Sequence, residues 1–328
     1  MVASIRRLAL VATGGIVSAG IAEVIYVRRS FRLPPSPSGP ISGVERHDGL
    51  GDKGLPRQEN PSEHTATQRR HVVFLGDSTA TGTGCSEEAG TLGAVMPRAC
   101  ASLVARRLGQ DVSWAVVGTV GADVPTASHH LSPLLEQQAA RLRCRGESLD
   151  AVVLLCGLND VKSCFLPADL HFETRAVRPF DRHPRRFGED LERLIGRIRE
   201  VAGEQCVILV PEEPMAESPR FASLWPLCAA IRLVSSLWDG EKRQACSRAA
   251  AIANRDRQPS LASNTGGVLH VAMPPILGPS FFSVDGMHPN DRGYQAWGEL
   301  LATILLGKQS RSYIPELGLD VQIVTTPS

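Results

Sequence analysis

The 328-residue chain has no excess of charge of either sign: 35 basic and 34 acidic side chains leave a formal net charge of +1. No stretch forms a long basic stripe, so nothing in the charge points to nucleic acid as a partner. Paired-cysteine spacings are missing too. The eight cysteines include no CxxC, and Cys156 and Cys206 sit in apolar, strand-like runs where buried free thiols are expected. Cysteine usage therefore leaves the redox compartment open. A phosphate cradle is absent, because Gly82-Thr83-Gly84 is not followed by Gly-Lys-Ser/Thr. A two-metal phosphoesterase would need a fuller set of Asp and His ligands than Asp77, Asn159 and His288 provide. His129 and His130, adjacent on a helical stretch, point to different faces. No metal or organic cofactor is expected.

One long apolar run is present. Arg6 and Arg7 precede Leu8–Val27, which carries a single charge, Glu23, and ends at Arg28 and Arg29. About 20 apolar residues are needed to cross a bilayer as a helix. Gly14, Ser18 and Ala22 put small residues on one helical face. Residues 1–29 are expected to be an uncleaved membrane anchor acting through residues 8–27. A cleaved signal peptide of an exported protein and an organelle-targeting sequence remain alternatives. Residues 30–70, rich in Pro, Ser, Gly and charge, read as a disordered tether. The tail, 307–328, is uninformative.

From His71 to Leu306 the texture is that of one domain, with short continuous apolar runs alternating with longer helical patterns. The runs are Val72–Leu75, Val112–Val117, Ala151–Leu155, Cys206–Val210 and Val268–Ala272. Phe187, Leu191, Leu194, Ile198 and Val201 recur at helical spacing. Continuous rather than alternating apolar strands imply parallel strands buried on both faces. The predicted fold is a three-layer α/β/α sheet with about five parallel strands. In such sheets the chemistry collects in the loops beyond the strands' carboxyl ends.

Those loops carry Gly76-Asp77-Ser78, then Gly118-Thr119-Val120-Gly121, then Cys156-Gly157-Leu158-Asn159-Asp160, and last Val284-Asp285-Gly286-Met287-His288. Gly-Asp-Ser alone is ordinary turn composition. A serine nucleophile needs a base, and the base needs an acceptor that fixes its tautomer. His288 and Asp285 can fill those roles for Ser78. The oxyanion needs aimed donors, for which the Ser78 and Gly121 backbone N–H groups and the Asn159 amide are candidates. Asp77 is expected to cap or brace its loop, and Asp160 to accept nearby backbone donors. Asn290 or Asp291 would cap the last helix. Thr79–Gly84 reads as the flexible floor of an ester pocket.

These four blocks, in this order, resemble the GDSL-type esterases of the SGNH hydrolase superfamily. The matching residues are Gly76-Asp77-Ser78, Gly121, Gly157-Leu158-Asn159-Asp160 and Asp285-Gly286-Met287-His288, spread over roughly residues 72–306. The first block reads GDST rather than GDSL, and the second lacks the asparagine that often precedes its glycine. The continuation through Pro289, Gly293, Tyr294 and Trp297 is similar to an anchored branch of the family. The resemblance implies a flavodoxin-like fold, a Ser78–His288–Asp285 triad and an oxyanion hole of Ser78, Gly121 and Asn159, with Asp77 and Gly157 in support. The expected activity is hydrolysis of a small-molecule, lipid or carbohydrate ester through an acyl-enzyme. Transfer of the acyl group to a hydroxyl, or an inactive binding module on the same fold, are the alternatives. Two insertions bear on substrate choice. Residues 162–186 read as a lid, a contact for an anionic substrate or a solvated loop, and residues 219–251, with Phe221, Trp225, Leu227 and Trp238, as a pocket wall or sheet packing.

Overall fold

A computed structural model describes residues 2–48, 69–162, 183–213, 217–252, 260–261, 266–272, 278–307, 312–314 and 319–321. Along the chain run α1 (Val2–Ser30), β1 (Ser42–Glu45), β2 (Arg70–Gly76), α2 (Ser78–Thr81), α3 (Glu87–Gly90), α4 (Val95–Leu108) and β3 (Val112–Gly118). Then come α5 (Val124–Thr126), α6 (Ser132–Arg143), β4 (Ala151–Leu155), α7 (Leu158–Lys162), α8 (Pro184–Ala202) and β5 (Val207–Pro211). The remainder is α9 (Pro219–Ala222), α10 (Leu227–Ile252), β6 (Gly267–Val271), α11 (Asp291–Leu305), β7 (Ser312–Ile314) and β8 (Leu319–Val321). Among the described residues β7 and β8 pair only with each other.

The main sheet has the order β1-β3-β2-β4-β5-β6, with β2 to β6 parallel and β1 antiparallel at the edge of β3. Alternate residues of each strand feed opposite cores. Val72, Phe74, Val153 and Leu209 pack with α4 and α11. Val73, Leu75, Val152 and Ile208 pack with α6, α8 and α10. Burial on both sides is why these strands are apolar at every position. α8 buries Phe187, Leu191, Leu194, Ile195, Ile198 and Val201, the face its spacing predicts.

The five parallel strands are those expected, and a sixth, antiparallel strand at the edge of β3 makes the sheet mixed. The extra strand comes from the stretch expected to be a disordered tether. Gly43 makes it fit, since a Cβ there would stand 2.9 Å from the Trp114 ring. Trp114 Nε1 donates to Glu45 Oε1 at 3.2 Å across the same pair. Further upstream, Gly39 N donates to Gly90 O at 2.9 Å. Residues 49–68 of the stretch lie outside the described residues.

The N-terminal segment also departs from expectation. Among the described residues no helix is long and apolar enough to cross a membrane. The last turns of α1 belong to the domain instead. Val24 and Val27 pack with Phe221, Leu227, Ile231 and Met287. Glu23, the one charge in the apolar run, accepts from Leu227 N at 2.9 Å and so holds the first residue of α10.

Residues 219–251 are mostly the crossover from β5 to β6, and α10 packs on the sheet through Trp238, Ala245, Cys246 and Ala249. Phe221, Leu227 and Trp238 are buried, whereas Trp225 is exposed. Of residues 162–186, positions 163–182 lie outside the described residues. Cys156 and Cys206 are buried free thiols whose pKa burial pushes up.

Candidate active site

Strand order places the site. β3 lies on one side of β2 and β4 on the other, so the chain reverses direction across the sheet between these strands. A crevice forms at such a switch point. Gly76 is in register with Gly118 of β3 and Leu155 of β4. The three loops beyond them therefore leave the sheet at one level. Gly76 is required by the approach of β4: a Cβ there would sit 1.9 Å from Leu155 O.

Ser78 opens α2 immediately after this pinch. Asp77 is its N-cap, and Asp77 Oδ1 accepts from Thr79 N at 2.9 Å. Ser78 Oγ lies 2.9 Å from His288 Nε2. On the other side of the ring, His288 Nδ1 is 2.6 Å from Asp285 Oδ2. The Asp-x-x-His spacing closes as a turn around the second oxygen. Asp285 Oδ1 accepts from Ser283 Oγ at 2.7 Å, Met287 N at 2.9 Å and His288 N at 3.0 Å. Burial alone would raise the Asp285 pKa. The bonds from His288, Met287 and Ser283 outweigh it and hold the carboxyl below its ordinary value.

The second and third loops meet beside this chain. Gly118 is packed in the sheet, where a Cβ would stand 3.0 Å from Gly76 O. Gly121 stands beyond it at φ +82° with nothing within 4 Å of a Cβ position. Asn159 Nδ2 donates to Asp77 Oδ2 and to Ala122 O, both at 2.9 Å. Its amide thus ties the Ser78 loop to the Gly121 loop, and both of its protons are engaged in this state. Asp160 Oδ2 accepts from Val124 N at 3.1 Å. Asn290 caps α11, taking Arg292 N at 3.0 Å and Gly293 N at 3.2 Å.

The Thr79–Gly84 loop is a packed wedge and not a flexible floor. Thr83 is fully buried and accepts from Tyr294 Oη at 2.8 Å through its carbonyl. A Cβ on Gly84 would stand 2.7 Å from Pro289 O and 3.0 Å from His288 Cβ. The loop after Ser78 thereby braces the turn that carries His288. Two charged residues at the site stand outside the sequence motifs, Lys242 of α10 and Glu213 beyond β5, both buried. Nothing in their local sequence marks them, because a lysine within a helix reads as surface.

Comparison with known proteins points the same way. The search of curated proteins finds no match. Among solved structures, the lipase Lip_vut3 from a goat rumen metagenome is 16% identical at a TM-score of 0.49, covering 72% of this chain and 97% of that one. The acetylxylan esterase Axe2 from Geobacillus stearothermophilus is 15% identical at 0.44, with 78% and 97% covered. A lipase/acylhydrolase from Enterococcus faecalis is 17% identical at 0.39, with 74% and 100% covered. Likenesses this weak carry no part of the assignment. The model of the GDSL-like lipase/acylhydrolase family matches residues 74–296, well over half of the chain and all four loops. The chain belongs to the GDSL-like lipase/acylhydrolase family, whose members are carboxylic ester hydrolases.

Proposed function

We propose that the protein hydrolyses a carboxylic ester through an acyl-enzyme on Ser78. The unbroken relay from Ser78 Oγ to His288 Nε2 at 2.9 Å, and from His288 Nδ1 to Asp285 Oδ2 at 2.6 Å, carries this reading. Ser78 Oγ attacks the ester carbonyl while His288 Nε2 takes its proton and then returns it to the departing alcohol. Asp285 accepts from Nδ1–H, which leaves Nε2 as the basic nitrogen. The oxyanion is received by the Ser78 and Gly121 backbone N–H groups and by the Asn159 amide. Gly121 supports this role because it is open and carries no side chain. For Asn159 to contribute, one proton must leave Ala122 O or be shared with it. Water then attacks the acyl-enzyme, with His288 as base in the reverse sense.

The substrate is a small ester of a sugar, lipid or other alcohol. Full-length protein assayed on 4-nitrophenyl acetate, acetylated sugars and lysophospholipids tests both activity and preference. Ser78→Ala is expected to abolish turnover, and undiminished hydrolysis by that variant would remove Ser78 as nucleophile.

Contact with a membrane through residues 8–27 is proposed as peripheral only. It is supported by exposed Val17, Ile21 and Ile25 on α1, followed by Arg28 and Arg29 in its last turn. Sedimentation of the full chain with anionic vesicles checks it, and a chain that stays in the supernatant refutes it.

A further inference from the structure

Lys242 takes no part in the relay, yet it is only 2% exposed. Lysines are almost never buried to this extent unless paired, because an ammonium loses its hydration. Its Nζ donates to Pro211 O, at the end of β5, at 3.0 Å. Its stem lies against Gly157, just past β4, where a Cβ would stand 2.7 Å from Cε and 3.1 Å from Nζ. The ammonium therefore bridges the carboxyl ends of two neighbouring strands, two residues from Asn159. A larger residue at 157 would be strained at its φ of +113° and would press the end of the lysine aside.

The groups facing it are three carboxyls and one neutral thiol, that of Cys156. Glu213 comes from the loop beyond β5, Cys156 from the end of β4, Asp239 from the preceding turn of α10, and Glu212 from beside Glu213. Burial alone would lower the Lys242 pKa, but these neighbours raise it above its ordinary value, so it stays an ammonium. His270 and Arg243 also lower the pKa of Glu212 and Asp239 through their charge. Glu213 has both carboxylate oxygens buried and, among the described residues, without a hydrogen-bond partner. A buried carboxylate without such bonds is tolerated where a cation faces it.

Asp77 shares this environment. It is fully buried, and burial, then the Glu213 carboxylate, push its pKa well above the usual carboxylate range. The bond from Thr79 N–H and the Lys242 ammonium pull the other way. Lys162, at the end of α7, also faces Asp77. Asp77 Oδ2 is the acceptor that orients the Asn159 amide. Protonated Asp77 would present a hydroxyl or a weaker acceptor to Asn159, and the amide would lose its fixed direction.

We propose that Lys242 is a positioning residue of the ester reaction: its buried ammonium compensates the Asp77 and Glu213 carboxylates behind Ser78 and so holds the Asn159 amide in place. The inference rests on the serine-hydrolase reading above. Its test uses full-length wild type, Lys242→Met, Glu213→Gln and the double variant, with kcat and KM on 4-nitrophenyl acetate across pH and Ser78 labelling by a fluorophosphonate. Lys242→Met is expected to lower kcat by about tenfold or more at neutral pH with KM little changed. Its acid limb should move to higher pH by roughly one unit. Glu213→Gln should move that limb to lower pH. The double variant should recover most of the kcat, as coupled charges do in a mutant cycle, whereas a merely structural lysine would not be rescued.

An unshifted Lys242→Met profile overturns the inference, and so does a double variant as impaired as the single. Should Lys242→Met lose its cooperative melt, an unmoved limb in Glu213→Gln overturns it and a limb moved to lower pH supports it. Wild type that neither hydrolyses the ester nor is labelled at Ser78 overturns the serine-hydrolase reading, and this inference with it. Active, labelled wild type with unaltered variants overturns this inference alone.

Discussion

Replacing Asp285 by asparagine separates two tasks that one carboxylate holds. Oδ1 gathers Ser283 Oγ, Met287 N and His288 N, and so builds the turn. Oδ2 faces His288 Nδ1 at 2.6 Å. In Asp285→Asn the carbonyl oxygen can keep the first set, while the amide nitrogen occupies the place of Oδ2. That nitrogen donates, so His288 Nδ1 must accept and the ring proton moves to Nε2. Nε2–H then points at Ser78 Oγ and cannot take its proton. The expected loss in kcat/KM is roughly ten-thousand-fold, as for wrong-tautomer variants of serine hydrolases, or about 5.5 kcal/mol at about 1.36 kcal/mol per decade. Because the turn survives, the stability cost should be only about 1–2 kcal/mol. Asp285→Ala strands every one of these donors, and should lose the same activity plus about 3 kcal/mol or more of stability. Steady-state kinetics on 4-nitrophenyl acetate and urea unfolding of the same samples read both quantities. An asparagine variant within about tenfold of wild type would refute the tautomer argument. One as unstable as the alanine variant would refute the scaffolding argument.

Gly76→Ala should destabilise by about 3 kcal/mol or more, at or beyond the top of the overpacking range, because its Cβ meets backbone, Leu155 O at 1.9 Å, which cannot move without parting β2 from β4. Gly121→Ala meets nothing within 4 Å, so only its φ of +82° is strained, at about 1–2 kcal/mol. Urea unfolding giving the reverse order would contradict this packing account. Stability should also respond to pH through two carboxyls of opposite sign. Asp285, held below its ordinary pKa, contributes stability that is full above that ordinary value and is lost as pH falls through the lower folded value. Asp77, held well above, contributes stability that is full below its ordinary value and declines as pH rises toward the folded one. Melting temperature against pH should show the acid limb flattened in Asp285→Asn and the opposite limb flattened in Asp77→Asn. Curves parallel to wild type would contradict both assignments.

The motif residues were readable from sequence because each adjoins a strand that had to be apolar at every position. Val72–Leu75 and Ala151–Leu155 announce burial on both faces, and in a parallel sheet the carboxyl end of such a run opens into a loop that carries the chemistry. Gly-Asp-Ser and Asp-x-x-His are local turns whose form depends on few distant contacts: Asp77 caps its own helix and Asp285 closes its own turn. The edge strand at Ser42–Glu45 had no such signature. Four residues with no apolar run become a strand only because β3 offers an unpaired edge and Gly43 admits the Trp114 ring. The apolar run around Glu23 likewise resembled an anchor, since its partners, Phe221 and Leu227, lie about two hundred residues away in sequence.

By itself, the order of residues determined the α/β layering and the four loops that carry Ser78, Gly121, Asn159 and His288. Periodicity and turn chemistry act over a few residues, and they survive being read in one dimension. Tertiary structure alone decided which of those loops meet, through the in-register ends of β2, β3 and β4. It also decided that the amide of Asn159 rests on Asp77 and Ala122, and that a lysine from α10 lies buried behind them. Such electrostatic arrangements depend on desolvation and on distances between remote elements, which no local pattern encodes.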